Sequence, residues 1–144
     1  MMLKKLTGLV VLGLALLSAG AEARDTSDEE MLYDFLAGSY WLIGKSLDSQ
    51  DSFVGKVGLS SQGNRLIVTR TVGGAQTVGE GRIEPIGHDG GRALRVRYVE
   101  RGVAYEGTYL WQSDADNYAR LTGYVYRPGE FTESPGMEAL FIVQ

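Results

Sequence analysis

From Gly38 onward the chain is a succession of short runs rich in Val, Ile, Thr, Tyr and Trp, each ended by a turn signal. β-Branched and aromatic residues suit a pleated, half-buried surface, so such runs read as strands. Eight are expected, at residues 39–45, 53–60, 65–72, 76–86, 93–99, 104–112, 118–126 and 138–143. Between them lie Gln62-Gly63-Asn64, Gly73-Gly74, Asp89-Gly90-Gly91, Arg101-Gly102 and the run from Asp114 to Asn117, all turn-forming sequences. Only 127–136 is a longer connection, and it holds two of the three prolines.

Connections this short join antiparallel neighbours, because a parallel crossover needs about a dozen residues or more. An open meander would leave two edges bare, and closing it removes both. Gly55, Gly58, Gly79, Gly81, Gly107 and Gly123 fall inside the runs. Glycines there mark the bulges or sharp bends by which a small sheet curls shut. The expected fold is all-β, an eight-stranded antiparallel up-and-down barrel with a short N-terminal helix. A two-sheet β-sandwich is the rival.

The helix is expected from Ser27 or Asp28 to about Ala37. Ser27 and Glu30 have capping-box spacing, Met31, Leu32, Phe35 and Leu36 share a face, and Gly38 is placed to end it. Arg24 to Glu30 reads as a charged, fraying lead-in. Upstream, Lys4 and Lys5 precede an apolar run at residues 6–17, followed by Ser18-Ala19-Gly20-Ala21-Glu22-Ala23. This is the pattern of a signal peptide cleaved after Ala21 or Ala23, and the apolar run falls short of the roughly 20 residues a spanning helix needs. The organisation expected is a leader at 1–23, a lead-in and helix at 24–37, and a barrel domain at 38–144, in a periplasmic or secreted protein.

With residues 1–23 removed, the formal charge falls from −4 to −5. Phosphate-rich partners are bound through cationic neutralisation, so a nucleic-acid role is disfavoured. The chain has no cysteine, which excludes disulfides, thiolate metal sites and a cysteine nucleophile. Its one histidine, His88, rules out a multi-histidine metal centre and reads as a turn residue. Asp114-Ala115-Asp116-Asn117 resembles the start of a calcium loop, yet position twelve is Val125 where the loop needs Glu. No cofactor, metal or catalytic residue is expected. A lipid-facing barrel is disfavoured too, because Glu80, Arg82 and Glu84 interrupt one face of the 76–86 run and Arg95 and Arg97 interrupt the next.

At Gly38-Ser39-Tyr40-Trp41 the chain resembles the opening of a lipocalin: a lead-in, a glycine, then an aromatic that begins the first strand. The family pattern is glycine, any residue, tryptophan; here Tyr40 holds the tryptophan position and Trp41 follows it. The basic residue that lipocalins carry near the end of the last strand is missing from 138–144. The chain is thus similar to the broad lipocalin and avidin-like (calycin-type) group of up-and-down barrels. The resemblance implies an eight-stranded cup for a small ligand, without naming the ligand.

The run 118–126 offers two faces. One presents Tyr118, Arg120, Thr122, Tyr124 and Tyr126, and the other Ala119, Leu121, Gly123 and Val125. Its neighbour offers Ala104, Glu106, Thr108 and Leu110 against Tyr105, Gly107, Tyr109 and Trp111. Both faces carry apolar groups, so which row points inward stays open. If the aliphatic row is inside, the tyrosines form an outer surface suited to a protein partner. If the tyrosine row is inside, Arg120 needs Glu106 or an anionic ligand beside it. Arg70 poses the same question within the apolar row Leu66, Val68 and Val72, either as a side chain reaching out to water or as a site.

The function expected first is binding of a small apolar or amphipathic molecule inside the barrel, with Tyr40, Trp41, Arg70, Glu106, Tyr109, Trp111, Arg120 and Tyr124 as candidate contacts. The alternative is a periplasmic interaction module, an inhibitor or accessory subunit of an envelope enzyme, using 127–136 or the tyrosine face. An enzyme ranks last, since it rests on analogy between barrels alone.

Overall fold

The computed structural model describes residues 18–112 and 119–144. One helix, α1 (Ser18–Leu36), precedes eight strands: β1 (Gly38–Lys45), β2 (Ser52–Ser61), β3 (Leu66–Val72), β4 (Ala75–Ile86), β5 (Gly91–Glu100), β6 (Val103–Trp111), β7 (Leu121–Tyr126) and β8 (Gly136–Ile142). They follow one another around a closed barrel in sequence order. Every neighbouring pair is antiparallel, and β1 returns to β8 with Tyr40 opposite Ile142 and Lys45 opposite Met137. That last ladder makes the molecule a barrel and not a two-sheet sandwich.

Turn chemistry sets the register. Gly73 and Gly74 both take positive φ, 58° and 78°, giving the right-twisting two-residue hairpin between β3 and β4. Paired residues within each ladder oppose one another one to one, so the in-strand glycines produce no bulge in these registers. Two of them instead make room. A Cβ on Gly107 would lie 2.5 Å from the Tyr109 ring, and one on Gly123 would lie 2.7 Å from it. The Tyr109 ring therefore lies flat against bare backbone on β6 and β7.

Two expectations are corrected at the N-terminal side. The helix begins at Ser18, so the Ser27–Glu30 capping spacing falls inside it and the 24–30 stretch is helical instead of irregular. Ala19, Ala21, Glu22, Ala23 and Arg24 are strong helix formers, which accounts for the earlier start. The seventh strand is described from Leu121, and Tyr118 together with the Asp114–Asn117 turn lies outside the described residues. His88 sits in the exposed turn between β4 and β5.

The helix shuts one end of the barrel. Tyr33 and Leu36 are fully buried on the core, and three polar contacts fasten them. The Tyr33 hydroxyl accepts the Ile83 N–H at 3.0 Å, Tyr40 donates to the Leu36 carbonyl at 2.8 Å, and Arg120 donates to the Phe35 carbonyl at 3.3 Å. The Arg120 guanidinium also lies 4.7 Å over the Phe35 ring. Above this plug, Leu42, Val57, Leu59, Leu66, Val68, Leu94, Val96, Leu121 and Leu140 fill the lower interior. The void left among them is about 10 Å³, which holds no ligand.

Candidate functional site

The odd-numbered strands run from the plugged end to the open end, where the packing stops. There the inward rows continue as Phe53 on β2, Arg70 and Val72 on β3, Tyr98 and Glu100 on β5, Tyr105 on β6, Val125 on β7 and Glu138 on β8. They bound an open-ended cup of about 250 Å³, with Lys45 and Arg127 at the rim.

The floor of the cup is a charge pair. Arg70 donates from Nη1 to Glu138 Oε2 at 2.8 Å and from Nη2 to Oε1 at 2.6 Å, a bidentate fork. Arg70 is 7% exposed and Glu138 5%. The Tyr109 hydroxyl donates to the same Oε2 at 2.6 Å, and the Tyr98 ring lies 4.7 Å beneath the guanidinium. Burial opposes the charge on Arg70, and the Glu138 carboxylate beside it more than offsets this, holding the guanidinium above its usual pKa. Burial, and then the nearby Glu138 charge, pushes the Tyr109 phenol well above its ordinary range, so it stays a donor. Tyr98 moves the same way, chiefly through burial, with Arg70 pulling against it.

One wall is aromatic. Tyr98 and Tyr105 stack with centroids 5.5 Å apart at 24°, and Phe53 stands on β2. The site thus combines flat apolar faces with fixed charge, an arrangement able to orient a small molecule that has both kinds of surface.

The structure divides the eight candidate residues of the sequence. Arg70 and Tyr109 meet at the cup floor. Tyr40 and Trp111 also point inward, at the plugged end, where Tyr40 holds the helix. Arg120 sits beside Phe35 at that end, far along the chain register from Glu106. Glu106 faces outward and is buried by its neighbours: Arg97 at 2.8 Å, Arg95 at 3.4 Å and the Tyr126 hydroxyl at 2.6 Å. Trp41 and Tyr124 face outward, about half exposed, and Lys56 lies 4.8 Å over the Trp41 ring. The aliphatic row of β7 is therefore the inner one. Arg70 does not reach out to water, because Glu138 supplies an inward carboxylate from the last strand.

Sequence reasoning missed Glu138, Tyr98, Tyr105 and Phe53. Glu138 carried the same signal as Arg70, a charge in an inward row between Gly136 and Leu140.

The barrel's outside is two-sided. Across β4, β5 and β6 runs a ladder of ion pairs that includes Arg82–Glu80, Arg97–Glu84 and Arg97–Glu106. Across β6, β7, β8 and β1 the exterior is apolar, with Leu110, Tyr124, Met137 and Ile43 exposed along a shallow groove of about 740 Å³.

No protein-family model, curated protein or solved structure matches the chain.

Proposed function

We propose that this protein is exported and binds a small amphipathic molecule in the open end of its barrel. The observation that carries the reading is the cup of about 250 Å³ whose floor is the desolvated Arg70–Glu138 pair and whose wall is the Tyr98–Tyr105 stack. Cups for drug-sized ligands begin at about 300 Å³, so the guest is small. Of the apolar and amphipathic ligands expected from sequence, the amphipathic kind is favoured. A wholly apolar guest would strip water from Glu100 and from the upper side of the ion pair and return no hydrogen bond.

The leader at 1–23 supports export, and cleavage after Ala23 leaves Tyr33 and Leu36 with the barrel they plug. A closed eight-stranded meander with a helix at one end is compatible with a calycin-like cup, and membership of the lipocalin and avidin-like group is part of the proposal. The test is native mass spectrometry of the mature protein from its own host, beside a Val72→Trp variant that fills the cup. A small-molecule adduct present in the wild type and lost in V72W supports the reading. An adduct that survives in V72W, or none in either protein, overturns it.

A second reading, the interaction module, is favoured by the outer apolar stripe of Ile43, Leu110, Tyr124 and Met137. It predicts a stoichiometric protein partner whose capture is abolished by Tyr124→Glu, and retention of the partner by Y124E overturns it.

A further inference from the structure

The charges that border the cup are unequally committed. Arg70 is held by Glu138, and Arg127 by Asp48 at 2.7 Å. Lys45 belongs to the outward row of β1 with Trp41 and Ile43, opposite Ser52 and the exposed Met137, and it borders the outer groove. Glu100 follows Leu94, Val96 and Tyr98 in the inward row of β5 and lines the cup. Its carboxylate has no ion-pair partner among the described residues. The inner surface of the mouth thus carries one uncommitted charge, and that charge is negative.

Local structure sets this carboxylate beside the aromatic wall. Arg101 and Gly102, at φ 51° and 77°, form the two-residue turn between β5 and β6. That turn pairs Glu100 with Val103 and Tyr98 with Tyr105. Glu100 and Tyr105 are therefore diagonal neighbours on one face, about 7–8 Å apart and within reach of long side chains. The wall already receives one cation from the protein itself. The Arg70 guanidinium lies 4.7 Å from the Tyr98 ring, and Tyr98 stacks on Tyr105 with centroids 5.5 Å apart. Two electron-rich rings and a free carboxylate share one side of the cup.

Resting on the cup reading above, we infer that the ligand is an organic monocation, a protonated amine on a short aromatic or alicyclic body. Its ammonium donates to Glu100 and lies against the Tyr105 ring, where carboxylate and ring both favour positive charge. Its apolar body fills the cup toward Phe53 and Val72. An acid would bring a second negative charge beside Glu100 and find Arg70 and Arg127 already paired. A neutral guest would strip water from Glu100 and give it no counter-charge. The amphipathic class narrows to one sign of charge.

Three probes of nearly one shape test this: benzylamine, benzyl alcohol and benzoate. Each is titrated into the mature protein while the ring resonances of Tyr98 and Tyr105 are followed by NMR. Benzylamine is expected to bind about tenfold or more tighter than benzyl alcohol, the size of one charge-assisted contact, with benzoate weakest. Glu100→Gln should bring benzylamine down to the affinity of benzyl alcohol and leave benzyl alcohol unchanged. Gln keeps the shape of the side chain, and circular dichroism checks that the variant folds. The rank order in the wild type is decisive without it. Binding of benzoate or benzyl alcohol as tight as that of benzylamine, or an amine advantage untouched by E100Q, overturns the cation assignment and leaves the cup standing. Failure of every probe to move Tyr98 and Tyr105 overturns both.

Discussion

Arg70 and Glu138, 68 residues apart in the chain, meet inside the barrel through two hydrogen bonds of 2.8 and 2.6 Å. Such a pair lowers the cost of two buried charges only while both are present. Glu138→Leu leaves the guanidinium buried and unpaired and is expected to cost about 3–5 kcal/mol in urea unfolding. The triple variant Arg70→Met, Glu138→Leu, Tyr109→Phe removes every orphaned group and should recover most of that loss. A Glu138→Leu protein with an unchanged urea midpoint would show that the pair is hydrated.

The same cluster sets an alkaline limit. Tyr109 and Tyr98 have folded-state pKa values raised above the ordinary 10.0, first by burial. A raised value means that stability is fully present below about pH 10 and is lost as pH rises from there toward the folded values. Each phenol contributes a slope of about 1.4 kcal/mol per pH unit in that window. Urea midpoints should be flat through neutral pH and fall above pH 10, with tyrosinate absorbance from these two residues emerging only as the protein unfolds. Tyr109→Phe should flatten the decline. Early, reversible ionisation of both in the folded barrel would contradict this account.

Gly107 and Gly123 predict the cost of a single methyl group. Both sit beneath the Tyr109 ring, and a Cβ on either would overlap it. Gly107→Ala should destabilise by about 1–3 kcal/mol, as overpacking does, and move the Tyr109 hydroxyl off Glu138. In a Tyr109→Ala background the same substitution should cost little, a coupling that a double-mutant cycle measures.

How much of this was legible in the chain divides along local and non-local lines. The eight strands and their hairpins were readable because Gly73-Gly74 and the β-branched runs act within a few residues of themselves. The inward parity of β6 and β7 was not, since Tyr109 and Leu110, or Tyr124 and Val125, are both apolar enough to be inside. The cup floor was half legible. Arg70 stood out within an apolar row, whereas its partner lies on the strand that arrives last, and only closure brings the two together. The helix start was hidden because Ser27 and Glu30 have a cap's spacing in a stretch whose upstream residues also favour helix.

The plug at the other end yields the last expectation. Tyr33 is 1% exposed and its hydroxyl accepts the backbone N–H of Ile83, which lies on β4 beyond the last β3–β4 pair, Leu66 with Gly81. Tyr33→Phe keeps the ring and its packing but orphans that N–H in a dry site, which costs about 1–3 kcal/mol. Two other fasteners remain, Tyr40 on the Leu36 carbonyl and Arg120 on Phe35, so the helix should stay docked and loosen only locally. Amide hydrogen exchange separates the outcomes. Exchange at Ile83 should accelerate in Y33F, while amides at the open-end hairpin between β3 and β4 keep their rates. Uniform acceleration at both ends would mean that the plug and the cup unfold as one unit.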